Sequence, residues 1–328
     1  MATYKGINGY AVQTVASDPS PGDPGQVFYN TTSKAFEYTT QVEGAWASGG
    51  NLTTGRVTPG GAGTQTAGLA TGGYNPSVVA TNATEEYDGT TWTSGGNLGT
   101  ARAALAACGT QTTAAGFGGW DVNATAYANT EEYDGTSWTA GGSLATARFQ
   151  LGGCGTQTTA LAFGGRVIPE AVTAATEEYN GTAWTSGGNL ANPRRQMASA
   201  GTQTAGLASS GNPEAGGGGT TTSTEEYDGT SWTAGGNVNT ERWAPAGSGL
   251  QTAALMYSGS NPTATESYDG TSWTTVASLN VGRREAGGAG TQTSSALAFG
   301  GNNPPTSVTT SEEFTGGPVN VNKTISFT

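Results

Sequence analysis

Short runs of small and apolar residues alternate with polar turn sequences along most of the chain. One such unit begins at Arg102 and reads AALAACGTQTTAAGFGG, then a variable stretch, then TEEYDGTSW ending at Trp138. Apolar runs this short, bounded by turn signals, are typical of β-strands, and no segment has the period of an amphipathic helix. We therefore predict four strands in the unit: after the arginine, before the glycine pair, at TEEY and at the tryptophan.

The connections between these predicted strands have the residues of tight turns. The first and second strands meet at a GTQT sequence, which begins at Gly63, Gly109, Gly155, Gly201 and Gly290 and reads GLQT at Gly249. The third and fourth strands meet at Asp88-Gly89, Asp134-Gly135, Asn180-Gly181, Asp228-Gly229 and Asp269-Gly270. Asp-Gly and Asn-Gly pairs tolerate the positive φ angles of a two-residue hairpin turn, so they are the sharpest local signal in the chain.

The unit occurs six times. The arginines that open the units are Arg56, Arg102, Arg148, Arg194, Arg242 and Arg283. The tryptophans that mark the fourth strand are Trp46, Trp92, Trp138, Trp184, Trp232 and Trp273. A repeated four-stranded unit of this length is typical of a β-propeller blade. The last unit lacks a tryptophan after Phe314, and Trp46 has no unit before it, so we predict that the strand around Trp46 completes the last blade and closes the ring.

A glycine pair that ends the second strand, followed by an aromatic residue and then a tryptophan, resembles the Kelch repeat. The pair is intact at Gly72-Gly73, Gly118-Gly119, Gly164-Gly165 and Gly300-Gly301, and it is Ser-Gly at Ser210-Gly211 and Ser258-Gly259. The Gly-His and Trp-Asp signatures of the commonest alternative propeller family are absent from the sequence. The resemblance covers about residues 46–316 and implies an all-β, six-bladed Kelch-like propeller.

Residues 1–45 lie outside the repeat, and we predict there a hairpin that serves as an attachment segment, with residues 317–328 forming a tail strand. The opening MATYKGINGYAVQT, followed by GQVFYN ahead of repeats of this kind, resembles Kelch-like structural proteins of marine tailed bacteriophages. The resemblance implies a component of the virion surface or tail, such as a tail fibre, a receptor-binding protein or a decoration protein. Other virion proteins and host-surface polysaccharide would then be its partners.

The composition mainly excludes certain kinds of core and certain classes of partner. The 55 glycines and the low hydrophobic fraction of 34 % favour thin stacked layers over a thick core. A net charge of −12 disfavours nucleic acid and anionic membrane surfaces as partners. The sequence has neither a long apolar run nor a basic start followed by one, so we expect no membrane insertion and no signal peptide. No coiled coil is visible, and formation of a homo-oligomer is left open.

The chain has no histidine, which removes the copper, zinc and Ser-His-Asp chemistries that need imidazole. Sialidases are also six-bladed propellers, but their turn motif separates Asp from Gly, whereas the two are adjacent here, as in Asp88-Gly89. Catalytic residues should break the repeat, yet six arginines obey it. We therefore expect no enzyme activity, no metal and no cofactor.

The repeated residues are interpreted as framework. Acidic pairs recur in step with the arginines, at Glu85-Glu86, Glu131-Glu132, Glu177-Glu178, Glu225-Glu226 and Glu312-Glu313, with Glu266 beside Ser267. One acid of each pair can face a neighbouring blade, where a buried bond to an arginine would fix the blade spacing. The six tryptophans are interpreted as blade-packing residues. Cys108 and Cys154 occupy a slot that holds Ala or Ser in the other units, so we expect packed thiols.

The units differ most in the stretch after the glycine pair, and we predict the ligand-binding face there. This loop should open on the same side as the connection to the next blade, so that six loops form a rim around the channel mouth. Its aromatic, amide and carboxylate groups suit a glycan and suit a protein–protein contact equally; free sequence drift is the other interpretation. The candidate ligand-binding residues are Tyr74, Asn75, Trp120, Asp121, Asn123, Tyr127, Arg166, Asn212, Asn302 and Asn303.

The leading hypothesis is therefore a non-enzymatic virion protein that binds a host-surface glycan or another virion protein through this loop face. The first alternative is a purely architectural virion subunit with no host ligand. A carbohydrate-active enzyme is the remote alternative.

Overall fold

A computed structural model describes residues 13–15, 27–169, 171–214, 219–303 and 306–324. All regular elements of these residues are strands. The chain divides into two compact units, Ala45–Thr315 and a smaller unit formed by Met1–Gly44 with Gly316–Thr328. The larger unit is a six-bladed β-propeller with four-stranded antiparallel blades, which confirms the predicted fold class.

Strands β1 (Gln13–Val15), β2 (Val27–Asn30) and β3 (Ala35–Ser48) precede the first repeat. The first blade contains β4 (Gly60–Gly63), β5 (Gly68–Thr71), β6 (Thr84–Tyr87) and β7 (Trp92–Ser94). The second contains β8 (Ala106–Gly109), β9 (Ala114–Phe117), β10 (Thr130–Tyr133) and β11 (Trp138–Ala140). The third contains β12 (Gly152–Gly155), β13 (Ala160–Phe163), β16 (Thr176–Tyr179) and β17 (Trp184–Ser186), with β14 (Arg166–Val167) and β15 (Ala171–Val172) paired in its loop.

The fourth blade contains β18 (Ala198–Thr202), β19 (Ala205–Ser209), β20 (Thr224–Tyr227) and β21 (Trp232–Ala234). The fifth contains β22 (Ala246–Leu250), β23 (Ala253–Tyr257), β24 (Thr265–Tyr268) and β25 (Trp273–Val276). The sixth contains β26 (Gly287–Gln292), β27 (Ser295–Phe299) and β30 (Ser311–Thr324), with β28 (Asn302–Asn303) and β29 (Thr306–Ser307) paired in its loop.

The N-terminal strand β3 supplies the missing outer strand of the sixth blade, whose four strands lie in the order β3-β30-β27-β26. Trp46 packs on Phe314 with ring centroids 5.1 Å apart, as Trp92 packs on Tyr87 at 4.9 Å in the first blade. The indole Nε1 of Trp46 donates to Thr265 Oγ1 of the fifth blade at 3.0 Å. The predicted closure of the ring by the N-terminal strand is therefore confirmed.

The two predicted end segments are described in part. Strands β2 and β3 form an antiparallel hairpin, and the Asn30 side chain accepts from the backbone N–H of Thr32 at 2.9 Å within its turn. Residues 317–324 of the predicted tail strand belong to β30. Residues 1–12 and 16–26 of the predicted attachment segment, and residues 325–328 of the tail, lie outside the described residues.

Small residues allow the inner strands to approach one another around the channel. A Cβ atom added at Gly61 of β4 would lie 2.2 Å from the carbonyl oxygen of Gly288 in β26, so a larger residue would force the first and sixth blades apart. The second strand of each blade is buried on both faces over at least four residues, as in β5, β9 and β13. The core therefore lies between blades, in thin layers, as the composition indicates.

Each arginine that opens a unit is buried and pairs with the first glutamate of the third strand of the same blade. The N–O distance is 3.1 Å in Arg102–Glu131, and the equivalent pairs are Arg56–Glu85, Arg148–Glu177, Arg194–Glu225, Arg242–Glu266 and Arg283–Glu312. The Glu131 carboxylate also accepts from the backbone N–H of Gly99, at 2.6 Å, in the connection from the preceding blade. The pair thus fixes that connection to the third strand.

The second glutamate of each pair forms the bond between neighbouring blades, which differs from the sequence interpretation that gave the inter-blade bond to an arginine. The Tyr133 hydroxyl of the second blade donates to Glu86 of the first at 2.5 Å. Equivalent bonds join Tyr179 to Glu132, Tyr227 to Glu178, Tyr268 to Glu226 and Tyr87 to Glu313. Burial and the adjacent carboxylate raise the pKa of Tyr133 to about 12, so the hydroxyl keeps its proton as the donor.

Candidate functional site at the mouth of the channel

The loops between the second and third strands and the connections between blades lie on one side of the propeller, which we call the loop face. The residue after each repeat arginine pairs its backbone with the residue after the glycine pair, as Val57 does with Tyr74, Ala103 with Trp120 and Phe149 with Arg166. The same pairing joins Arg195 to Asn212 and Arg284 to Asn302. Loops and connections therefore form one continuous surface around the channel mouth.

A closed ring of backbone hydrogen bonds surrounds the channel mouth. Its members are Thr58, Ala104, Gln150, Gln196, Ala244 and Glu285, each two residues after a repeat arginine. The N–H of each member donates to the carbonyl oxygen of the member from the preceding blade, over distances of 2.8 to 3.1 Å. All six have φ between 51° and 59°, a left-handed conformation that residues other than glycine seldom adopt. Six strained positions held in register form a rigid rim.

The rim lines a small cavity of about 100 Å³, whose walls also include Pro59, Leu105 and Pro245. The ring obeys the six-fold repeat in its backbone, but its side chains do not: they are one Thr, two Ala, two Gln and one Glu. The framework therefore presents an asymmetric set of side chains at this point. Asymmetry of this kind is what a specific recognition site needs.

Polar side chains converge on one part of the rim. The Arg195 guanidinium donates to Gln150 Oε1 at 2.7 Å and to Gln196 Oε1 at 3.0 Å. The Gln196 amide donates to Glu285 at 3.4 Å, and the Tyr74 hydroxyl lies 3.5 Å from the other Glu285 oxygen. We call these five residues the mouth cluster. They come from the first, third, fourth and sixth units, so only the closed ring brings them together.

Aromatic rings and arginines flank the mouth cluster. Trp120 stacks on Phe149 with ring centroids 4.8 Å apart and an interplanar angle of 12°. The Arg166 guanidinium lies 5.7 Å from the Phe149 ring centroid. On another side, the Arg284 guanidinium lies 5.0 Å from the Trp243 ring centroid, within the range of a cation–π interaction.

The electrostatics of the mouth reflect its partial burial. Desolvation raises the pKa of Glu285, although Arg284, the Tyr74 hydroxyl and Arg195 oppose the shift. Desolvation and the Glu285 carboxylate raise the pKa of Tyr74 to about 12. The pKa of Arg195 is lowered by desolvation and by the positive charge of Arg166, against the attraction of Glu285. These charges interact through a medium less polar than water, which strengthens each interaction.

The structure places the ten candidate residues from the sequence in different roles. Tyr74, Trp120 and Arg166 lie in or beside the mouth cluster, as described above. The side-chain oxygens of Asn75 and Asp121 accept backbone N–H groups of their own loops, at 2.8 to 3.1 Å. The remaining described positions are half-buried Tyr127 and Asn302 and exposed Asn123 and Asn303.

Asn212 is the most buried of the ten candidate residues. Its side chain is 2 % exposed, and its Oδ1 accepts from the backbone N–H of Glu214 at 2.8 Å. Asn212 follows the glycine of its loop, and its backbone pairs with Arg195. Its side-chain hydrogen bond to Glu214 stabilises the conformation of the loop. Its role in ligand binding stays a prediction.

Sequence reasoning missed most of the mouth, namely Phe149, Gln150, Arg195, Gln196, Arg284 and Glu285. All six lie one or two residues after a repeat arginine, within a stretch that was assigned to the framework. A signal was present, because the dipeptides after the arginines are Val-Thr, Ala-Ala, Phe-Gln, Arg-Gln, Trp-Ala and Arg-Glu. Variation directly beside a repeated residue marks a position that the framework does not specify.

The other repeated residues have internal partners. Each repeat tryptophan donates from Nε1 to a Thr or Ser hydroxyl of the preceding blade, as Trp138 does to Thr84 at 3.0 Å. Cys108 and Cys154 are buried free thiols. Burial raises the pKa of Cys108 to about 12, so the thiol stays protonated. No cluster of three or more His, Cys, Asp or Glu side chains suited to a metal is found among the described residues.

A helix with the length and hydropathy to cross a membrane is not found in the described part of the chain. The fold itself defines the class of the protein, a six-bladed β-propeller with four-stranded blades. No protein-family model and no curated protein sequence matches the chain. Among solved structures, the structure of YjhT is similar, with a TM-score of 0.67 and 13 % sequence identity, over 80 % of this chain and 95 % of that chain. At this identity the likeness concerns the fold alone.

Proposed function

We propose that the protein is a non-enzymatic recognition module of a virion surface or tail, which binds a host-surface glycan or a virion partner through the loop face. The virion assignment rests on the resemblance of its opening and its Kelch-like repeats to phage structural proteins. The binding assignment rests on one observation, the asymmetric cluster of Tyr74, Gln150, Arg195, Gln196 and Glu285 at the channel mouth.

Most of the polar side chains that repeat are bonded to partners within the fold, whereas the side chains of the mouth cluster do not repeat. Repeat arginines are bound to first glutamates and five second glutamates to tyrosines. The repeat therefore has no need of Arg195 or Glu285, because other units fold with Ala or Val at the equivalent places, and other units have Tyr, Arg, Asn or Ser in place of Trp120. Residues that a rigid scaffold does not need for folding, collected at one opening, are a usual basis of binding.

The same cluster favours binding over catalysis of glycoside hydrolysis. Glycosidases that work through two carboxylates need both beside the scissile bond. Among the described residues, Glu285 is the carboxylate that is bonded into the mouth cluster, whereas the Asp121 carboxylate accepts three backbone N–H groups of its own loop. A purely architectural subunit is the second candidate, supported by the exposed apolar side chains Val78, Val79 and Ile168 on the loop face, which suit a contact with a neighbouring protein.

Replacing Trp120 with alanine is expected to weaken glycan binding by at least about tenfold, since an aromatic anchor of a binding surface commonly contributes about 2 kcal/mol. Binding is measured on a glycan array and with polysaccharide purified from a host cell surface. Val79→Ala is the matched control, because Val79 lies on the same face, is 56 % exposed and is remote from the described contacts of Trp120.

Two results would contradict the glycan-binding part of the proposal. Unchanged binding by the Trp120→Ala protein would move recognition away from this face. A wild-type protein that binds neither glycans nor cells, but binds another virion protein, would favour the architectural candidate.

A further inference from the structure

The cationic side chains of the propeller divide into two groups. The chain has 12 lysines and arginines. Six of the arginines form the buried pairs with glutamate, and the three lysines, Lys5, Lys34 and Lys323, lie outside Ala45–Thr315. The remaining arginines are Arg166, Arg195 and Arg284, and all three lie on the loop face at the channel mouth. A chain with a net charge of −12 thus gathers its non-repeat arginines at one opening.

Hydrogen bonds hold one of these arginines in the mouth cluster, and electrostatic interactions link the other two to it. Arg195 is 7 % exposed and is held by Gln150, Gln196 and the carbonyl oxygen of Glu214. Arg166 lies close enough to lower the pKa of Arg195, and Arg284 close enough to oppose the raised pKa of Glu285. Side chains held by neighbours in this way lose little freedom when they bind.

The described acidic groups of the same face lie in different surroundings. The Glu285 carboxylate lies within the cluster, between the Tyr74 hydroxyl and the Gln196 amide. The Asp121 carboxylate is occupied by the backbone of its own loop, and the Glu214 side chain is exposed at the rim. Arg195 and Arg284 both act on the Glu285 carboxylate, so two guanidinium groups accompany the one carboxylate that is bonded into the cluster.

The geometry points to a ligand of defined chemistry: we infer that the mouth of the channel binds a saccharide that carries a carboxylate, such as a uronic acid residue of a polysaccharide. The inference rests on the proposed function and specifies the ligand class of that site. Arg195 and Arg284 would receive the carboxylate, because guanidinium groups match its two oxygens. The Gln150 and Gln196 amides and Glu285 would bind hydroxyl groups, and the Trp120 and Trp243 rings would cover the apolar faces of the sugar rings.

A neutral saccharide fits this surface less well. It would cover the half-buried Arg284 without offering it a charge, and desolvating a guanidinium group that gains no counter-charge is costly. Simple attraction to any polyanion is a different case, because it needs no hydroxyl-binding amides and no aromatic platform. The two cases are separated by comparing carboxylated, esterified and sulfated polymers.

The test uses the full chain and three carboxylated polymers: alginate, polygalacturonate and hyaluronan. Each polymer is compared with its own methyl ester. Dextran sulfate serves as a polyanion whose charged groups have a different geometry. Affinity is measured by biolayer interferometry at physiological salt. We expect at least one carboxylated polymer to bind at least about tenfold more tightly than its methyl ester, as one charge-assisted contact would give. Arg195→Gln and Arg284→Gln should each remove most of that preference.

Controls keep this result interpretable. Lys34→Gln removes one positive charge outside the propeller, and should leave the preference unchanged. Arg284 is only half-buried, so its variant is expected to fold even where Arg195→Gln loses stability, and thermal unfolding of both is measured. The inference is overturned if no carboxylated polymer binds better than its ester, or if dextran sulfate binds as tightly as the best of them. If the protein then still binds neutral glycans through Trp120, the proposed function stands. If no glycan binding depends on Trp120, both the inference and the proposed function are overturned.

Discussion

Replacing Arg102 with methionine is expected to lower the free energy of unfolding by about 3–5 kcal/mol, because it leaves the buried Glu131 carboxylate without its counter-charge. The arginine Nη2 lies 3.1 Å from Glu131, and its Nη1 donates to the carbonyl oxygens of Gly118 and Asn129 at 3.1 and 2.7 Å. Desolvation lowers the pKa of Arg102 to about 10 even with Glu131 beside it, which shows how dry the site is. Urea denaturation followed by tryptophan fluorescence measures the effect.

The double variant Arg102→Met with Glu131→Gln separates charge from packing. Removing both charges leaves a neutral amide whose single oxygen can accept the backbone N–H of Gly99, so the double variant should lose clearly less unfolding free energy than Arg102→Met alone. If Arg102→Met lowers the free energy of unfolding by less than about 1 kcal/mol, the pair of Arg102 and Glu131 does not stabilise the framework.

Deleting residues 1–48 is expected to abolish the cooperative fold of the propeller. The sixth blade would lose strand β3, and Phe314 and Tyr257 would lose the Trp46 ring, which packs on both and is 6 % exposed. Losing a buried tryptophan alone costs about 3–5 kcal/mol, and the lost strand pairing adds to that. The sum approaches the whole stability of a typical domain.

Deletion of residues 1–34 is the matched control, because it keeps all of β3, Ala35–Ser48. Its protein should unfold in one sharp thermal transition by near-ultraviolet circular dichroism, whereas the protein that begins at residue 49 should show none and should aggregate through the exposed edge. Equal transitions in the two proteins would mean that the ring closes without the N-terminal strand.

Much of this fold could be predicted from the sequence because its determinants are local. The TEEY strands, the Asp-Gly and Asn-Gly turns and the GTQT turns each specify a few consecutive residues, and the structure has strands at Thr84–Tyr87 and Thr130–Tyr133 as expected. Closure by Trp46 was predictable because one tryptophan was missing at the other end of the repeat. The short strands β14, β15, β28 and β29 were not predicted, since the loops that hold them do not repeat.

The mouth could not be predicted, because its contacts are non-local. Gln196 and Glu285 are 89 residues apart, and Tyr74 and Glu285 are 211 apart. Their approach depends on the backbone ring formed by six connections, and no local pattern announces left-handed φ angles at Thr58 or Gln150. Of the mouth cluster, only Tyr74 was among the predicted residues, with Trp120 and Arg166 beside the cluster.

One irregularity of the repeat has a physical explanation that only the structure supplies. Between the fifth and sixth blades, Phe314 replaces the tyrosine, Ser267 the glutamate and Val276 the glycine found at the other joints. At the preceding joint, a Cβ atom on Gly235 would lie 2.8 Å from the Tyr268 hydroxyl and 3.0 Å from Glu226. A valine there is compatible only with removal of both polar partners, and it packs instead against the cluster of Trp46, Tyr257 and Phe314.

Hydroxyl-radical footprinting with the tightest-binding polysaccharide tests most directly whether recognition takes place at the channel mouth. The account predicts that the oxidation of Trp120, Trp243 and Tyr74 falls when the ligand is present. It also predicts that Leu250 stays unprotected, because it is 45 % exposed in the turn between the first and second strands, on the side opposite to the loop face. Protection of Leu250, with unchanged oxidation of both tryptophans, would contradict the account.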